Sequence, residues 1–328
     1  MSQNTQQEPG RESGMGRIIY GCMGLGGPWE PTPYTEADVA QASEVIDAAL
    51  AIGVELFDHA DIYRFGKAEA VFGEVLAARP ELRDRILLQS KCGIRLHENG
   101  LNNYYDLSYD SIMERVEGIL ERLRTDHLDT LLFHRPDPLL HRDEAARAVR
   151  ELLADGRIRA LGVSNMSAAQ MDHLQDALST PLVANQLEMS LGTRDWVDST
   201  VTVNHRQGAG NPFPHGVLEY CMSRGVELQA YGSLANGRYT GGVPAQDLSD
   251  ADRATADLVQ ELAGQFGVAP ESVLLGWLMK HPARISPVIG TTNTARIAAC
   301  GDAISVAQRM DRLQWYRLWI TARGEFIP

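Results

Sequence analysis

The chain is short of most features that place a protein at a glance. Its four cysteines, Cys22, Cys92, Cys221 and Cys300, lie far apart and form no C-x-x-C pair. That argues against a disulfide framework and for reduced thiols in a cytoplasmic protein. No apolar run approaches the ~20 residues that cross a bilayer. The opening MSQNTQQEPGRESG lacks the apolar core of a secretory signal, and its Gln, Ser, Gly and charge predict an unstructured tail over residues 1–14. Basic charge is scarce: 30 Lys and Arg against 43 Asp and Glu leave a net charge of -13. Nucleic acid and anionic membrane surfaces are therefore poor general partners, and a small molecule is the expected one. No G-x-G-x-x-G turn follows the first apolar run, which removes the main support for a doubly wound dinucleotide fold. Nor is there a G-x-S-x-G or a cysteine beside a base, so no nucleophile stands out.

What is present is regular alternation. Short β-rich runs at 18–20, 55–57, 86–89, 130–133, 160–163, 182–185, 227–230 and 287–289 are separated by segments with helical periodicity. Examples are 36–51, 68–78, 108–124, 143–154, 216–223, 250–266, 270–280, 294–303 and 310–322. In 108–124 the apolar residues Ile112, Val116, Ile119, Leu120 and Leu123 fall on one side. About eight strand–helix units in ~300 residues predict a single-domain (β/α)8 barrel, with long loops and a C-terminal helix, over residues 15–328. The long loops are 193–214 and 234–248. Ser164 and Asn165 stand where a helix could be capped.

Four polar residues sit where strand-like runs give way to loops. Asp58 follows VELF, Lys91 follows the run 86–89, and His134 follows TLLF. Tyr63 is five residues beyond Asp58. In a parallel barrel these positions gather at one mouth. A free phenol titrates near ~10, and a neighbouring ammonium lowers that value. The set therefore reads as a proton donor, Tyr63, tuned by Lys91, which Asp58 holds, with His134 bonding a substrate oxygen. That chemistry suits carbonyl reduction. Taken singly, each residue has an ordinary explanation: a packing tyrosine, a loop-capping aspartate, a surface lysine, a histidine bonded to backbone. Their common placement argues against coincidence. The cluster Asp58, His59 and Asp61 also invites a metal reading, but no H-x-H marks the first strand and no firm second histidine comes from a late one, so no metal is expected.

These residues resemble the aldo-keto reductases. FDHADIY is similar to that family's Asp-to-Tyr motif, QSKCG to its lysine strand, LLFHRPDP to its histidine strand, and LGVSN and ANQLE to its nicotinamide-binding strands. The resemblance runs from about Ile18 to the C-terminus. HRPDP and the closing GEFIP look most like the YdhF-type bacterial branch of predicted oxidoreductases. The resemblance implies a nicotinamide cofactor held without a Rossmann fold, NADPH or else NADH. Tyr63 would be the general acid, Lys91 and Asp58 its tuning pair, and His134 the carbonyl orienter. Ser164, Asn165 and Gln186 would hold the carboxamide, Tyr231 would stack on the nicotinamide ring, and Met23 would lie near the reactive end. Ser233, Leu234 and Arg238 would follow the pyrophosphate, and Gly290, Thr291 and Arg296 would face the adenosine side, where Arg296 can meet a 2′-phosphate. Many family members carry a lysine ahead of that arginine; this chain has Thr292 and Asn293, one cation fewer. AYGSL replaces the commoner AYSPL, and Gly232 is expected to loosen that turn.

The resemblance implies a small carbonyl or alcohol substrate without naming it. Trp29, Tyr104, Tyr105 and Trp196 are candidate walls, Arg64 and Arg95 candidate contacts for an acidic group, and the loop 193–214 a candidate lid or subunit contact. A nicotinamide-binding sensor with little turnover is the alternative from another functional class, and a barrel isomerase or lyase without nicotinamide a weaker one.

Overall fold

The computed structural model describes residues 16–98 and 100–328; the tail expected at 1–14 lies outside them. The strands are β1 (Ile19–Gly21), β2 (Leu56–Asp58), β3 (Leu87–Cys92), β4 (Ile94–Leu96), β5 (Asn103–Tyr105), β6 (Thr130–Phe133), β7 (Leu161–Ser164), β8 (Ala184–Glu188), β9 (Glu227–Tyr231) and β10 (Ser286–Ile289). Eight of them close into a parallel barrel in the order β1-β10-β9-β8-β7-β6-β3-β2. The (β/α)8 expectation holds.

The intervening helices form for local reasons and pack for distant ones. Thr35 accepts from the Asp38 amide and Asp38 reaches back to the Thr35 amide, a capping box that starts helix Glu36–Ala51 and contributes ~1 kcal/mol. Its buried stripe, Ala42, Val45, Ile46 and Ala49, faces the barrel. Helix Tyr109–Leu123 buries the stripe read from the sequence. It lies so close to helix Lys67–Ala78 that a Cβ at Gly73 would meet the Arg122 carbonyl oxygen at 2.1 Å, so only glycine fits there.

Some local expectations fail. The helix after β7 is capped by Ser167, not by Ser164 or Asn165. Asn165 instead sits at φ 59°, and the Ser164 hydroxyl donates to the Gln186 carbonyl at 2.9 Å, so both are committed to the strand ends. The helix expected over 294–303 breaks into Thr294–Ala298 and Ala303–Arg309. A short antiparallel hairpin of β4 and β5 was not foreseen. The loop 193–214 contains a helical turn, Asp195–Asp198, and is tied into the body. Trp196 is fully buried against Trp277, and Asp198 accepts from the Trp319 indole at 2.6 Å and pairs with Arg323 at 3.1 Å. It packs under the C-terminal helix Arg312–Arg323 and supplies none of the residues that line the cavity described below.

Candidate active site

Asp58 closes β2 and is the register partner of Gln89 on β3. Lys91 lies two residues further along β3, so its side chain leaves the same face of the strand as that of Gln89. The Lys91 ammonium donates to Asp58 Oδ2 at 2.6 Å, to the His59 carbonyl at 2.8 Å and to the Tyr63 hydroxyl at 3.1 Å. Lys91 is fully buried and Asp58 nearly so. Tyr63 is presented by a tight loop in which its amide donates to the Ala60 carbonyl and its own carbonyl accepts from the Gly66 amide. His134 follows β6, its amide bonded to the Cys92 carbonyl, and its ring meets the Tyr63 ring edge-on with centroids 6.0 Å apart. The four residues converge as expected.

Burial works against the Lys91 ammonium, but Asp58 and Tyr63 outweigh it and hold its pKa above the usual value. Tyr63 departs from expectation. Burial raises the phenol's pKa, Lys91 only partly offsets this, and Asp58 adds to the rise, so the net shift is upward. His134 is driven well below its usual pKa by burial, with Lys91 and Arg135 adding to the effect. That shift favours the neutral ring, and among the described residues its buried Nδ1 has no hydrogen-bond partner.

The group opens into a cavity of about 710 Å3, within the range that holds small ligands. Met23, Asp58, Tyr63, His134, Ser164, Asn165, Gln186, Tyr231, Ser233, Leu234, Gly290, Thr291 and Arg296 all line it. Lys91 lies directly beneath Tyr63. Arg238 does not line it; its guanidinium is turned to Asp252 at 3.5 Å. Asn165 is oriented by the Tyr231 hydroxyl, which donates to its Oδ1 at 3.0 Å. Gly232 holds φ at 65°, a conformation that favours glycine. Arg296 is half engaged, with its Nε 3.7 Å from Glu271 and its Nη2 3.3 Å from the Thr240 hydroxyl.

Among the candidate walls only Trp29 reaches the cavity. Trp196 is core, and Tyr104 and Tyr105 belong to the hairpin. Arg64 donates to the Met23 carbonyl and lies over Trp29, while Arg95 is buried among Glu98, Asp106 and Glu114. Neither arginine is among the residues that line the cavity. His59 packs edge-on against Phe72 with both ring nitrogens buried, and neither it nor Asp61 lines the cavity. Sequence reasoning missed Arg135 and Glu188, which line the cavity and flank Tyr231. It also missed the buried amides of Gln89 and Gln229. Arg135 could have been marked, since it directly follows His134 at a strand end.

The family model described as "Aldo/keto reductase family" matches residues 17–314. The chain belongs to the aldo/keto reductases. It is 36% identical over 317 residues to the 6-dehydroglucose reductase of Agrobacterium fabrum, covering 95% of this chain and 96% of that one. It is 34% identical over 290 residues to the oxidoreductase YdhF of Escherichia coli, covering 88% and 89%. The barrel superposes with a TM-score of 0.75 on the glycerol dehydrogenase AKR11B4 of Gluconobacter oxydans at 24% identity, covering 98% and 97%, a likeness of fold. The protein is thus an NAD(P)H-dependent aldo/keto reductase. The residues fit that cofactor: the cavity runs unbroken from Tyr63 past the Gln186 amide and the Tyr231 ring to Gly290, Thr291 and Arg296. Among the described residues no helix is long and apolar enough to cross a membrane.

Proposed function

We propose that this aldo/keto reductase uses NADPH to reduce a small aldehyde or ketone, with Tyr63 as the proton donor. The observation that carries the reading is the Lys91 ammonium 3.1 Å from the Tyr63 hydroxyl at the floor of an open cavity. When bound, the reduced nicotinamide supplies hydride to the carbonyl carbon. The residues do the rest. Neutral His134 donates a hydrogen bond to the carbonyl oxygen and fixes its direction. As negative charge grows on that oxygen, the Tyr63 proton passes to it and the phenol becomes a phenolate. Lys91, preorganised by Asp58, then faces that phenolate without having to move. In the reverse direction the phenolate accepts the alcohol proton.

Ser164, Asn165 and Gln186 would hold the carboxamide and Tyr231 would cover the ring. Leu234 and Ser233 would follow the pyrophosphate, and Arg296 would meet the 2′-phosphate that marks NADPH. The names of two relatives at 36% identity, both 6-dehydroglucose reductases, make sugar carbonyls the first substrates to assay. Four buried, unpaired cysteines support a cytoplasmic setting.

The test mixes the protein with NADPH and a panel of aldehydes and ketones and follows cofactor oxidation. Tyr63→Phe should lose turnover while cofactor binding survives, and full rate in that variant would refute the assignment of the acid. Tight cofactor binding with negligible turnover on every carbonyl would instead favour the sensor role.

A further inference from the structure

Beneath the cavity, three glutamines form a continuous hydrogen-bonded chain that starts at Asp58. Gln89 Nε2 donates to Asp58 Oδ1 at 2.6 Å and to Gln229 Oε1 at 2.8 Å. Gln229 Nε2 donates to Gln89 Oε1 at 3.0 Å and to Glu227 Oε2 at 3.2 Å. Gln186 Nε2 donates to Gln229 Oε1 at 3.0 Å. Gln89, Gln186 and Gln229 are each at most 3% exposed. The Gln89–Gln229 contact spans the barrel interior, because β3 and β9 are not neighbours in the sheet.

An amide can present either its oxygen or its NH2, and nothing within an isolated glutamine decides which. Here the ends of the chain decide. An ionised carboxylate only accepts, so Asp58 fixes the NH2 of Gln89, and Glu227 fixes the NH2 of Gln229. Each amide oxygen then points to the next amide's NH2. The sequence of donors ends by consuming an N–H of Gln186. Among the described residues the Gln186 oxygen has no hydrogen-bond partner, on a residue that lines the cavity. Glu227 is itself pinned by Arg17 at 3.1 Å and by the Ser286 hydroxyl at 2.7 Å.

We propose that Asp58 and Glu227, acting through Gln89 and Gln229, set the direction in which Gln186 faces the nicotinamide carboxamide. Gln186 is thereby held as an acceptor for the carboxamide NH2. Gln89 and Gln229 are positioning residues, and they tie the proton-donating pair to the place where the hydride donor is oriented. An unheld Gln186 amide would turn over between donor and acceptor and lose that selectivity. The inference rests on the cofactor reading given above.

The test is Gln229→Met, which keeps the volume but removes both the donor and the acceptor that face Gln186 and Gln89. NADPH and 2′,5′-ADP, which has the adenosine end but no nicotinamide, are each titrated against wild type and variant. The expected result is an NADPH dissociation constant about tenfold weaker, close to the ~1.4 kcal/mol equivalent of one decade, with 2′,5′-ADP binding within twofold of wild type. Gln89→Met, which cuts only the Asp58 end, should give a smaller loss with the same selectivity for the nicotinamide end. An unchanged NADPH constant in Gln229→Met overturns the proposal. So does an equal loss for both ligands, the mark of general damage to the barrel. Failure of the wild type to bind either ligand would instead overturn the cofactor reading beneath it.

Discussion

Replacing Lys91 with Met separates the structural role of the buried ion pair from its chemical one. Lys91 is fully buried, and its ammonium makes three hydrogen bonds, to Asp58 Oδ2, the His59 carbonyl and the Tyr63 hydroxyl. Met fills most of the space but leaves Asp58, 2% exposed, with no countercharge among the described residues and, of their side chains, only the Gln89 amide as donor. Breaking a buried pair from one side costs about 3–5 kcal/mol, because the surviving charge stays desolvated. That is a large part of the 5–15 kcal/mol by which a domain is stable. Urea unfolding at pH 7 should therefore show a midpoint lowered by an amount equivalent to ~3–5 kcal/mol, at an unchanged slope. The double variant Asp58→Asn/Lys91→Met removes the stranded charge while its Asn oxygen still accepts from Gln89. It should recover most of the lost stability, yet remain as inactive as the single variant. A loss under about 1 kcal/mol for the single variant, or a double variant no more stable than the single, would refute the account of Asp58 as a charge that only Lys91 makes tolerable.

Two further outcomes follow from the site. As the proposed acid, Tyr63 must be protonated to donate, and its pKa is shifted upward from the ordinary phenol value of ~10. Carbonyl reduction should therefore be level in kcat/KM from pH 6 to 9 or so and fall only at higher pH. Alcohol oxidation, which needs the phenolate, should climb about tenfold per pH unit over the same range; a reduction rate already halved near pH 7 would show that Tyr63 is not the acid. Arg296→Ala should weaken NADPH binding by about tenfold and leave NADH within twofold, as measured by paired titrations, because one partly exposed guanidinium is being removed from a 2′-phosphate. Equal losses for both cofactors would place Arg296 elsewhere.

The convergence of Asp58, Tyr63, Lys91 and His134 was legible because each is marked by its own short stretch of sequence. Asp58, Lys91 and His134 each stand at or beside the end of a short apolar run, and parallel closure brings such ends together whatever lies between them. The cross-barrel amides were not legible. Gln89 and Gln229 are 140 residues apart in sequence, and their meeting depends on the register with which eight strands close, which no single segment carries. Arg238 failed for a related reason. Its neighbourhood in sequence suggests the cavity, but Asp252, at the start of the next helix, takes its guanidinium. Loop 193–214 was a candidate lid or subunit contact because it is long and polar. What ties it down is Trp319 and Arg323 on the final helix, more than 100 residues away.

The upward shift of Tyr63 belongs to the same class of surprise, since burial depth is a property of the closed fold. A neighbouring lysine suggested a phenol ready to ionise, whereas the structure favours one that holds its proton. For a general acid that is the better resting state. A depressed pKa would leave part of the enzyme as phenolate before the substrate arrived, with nothing to donate. In the proposed mechanism Lys91 does not have to ionise Tyr63 in advance; it has to be in place when the phenolate forms. Asp58 and the His59 carbonyl hold it there at 2.6 and 2.8 Å, so the attraction between ammonium and phenolate is realised as charge develops and is weak beforehand. An interaction that strengthens along the reaction lowers the barrier, and one already complete in the resting enzyme does not.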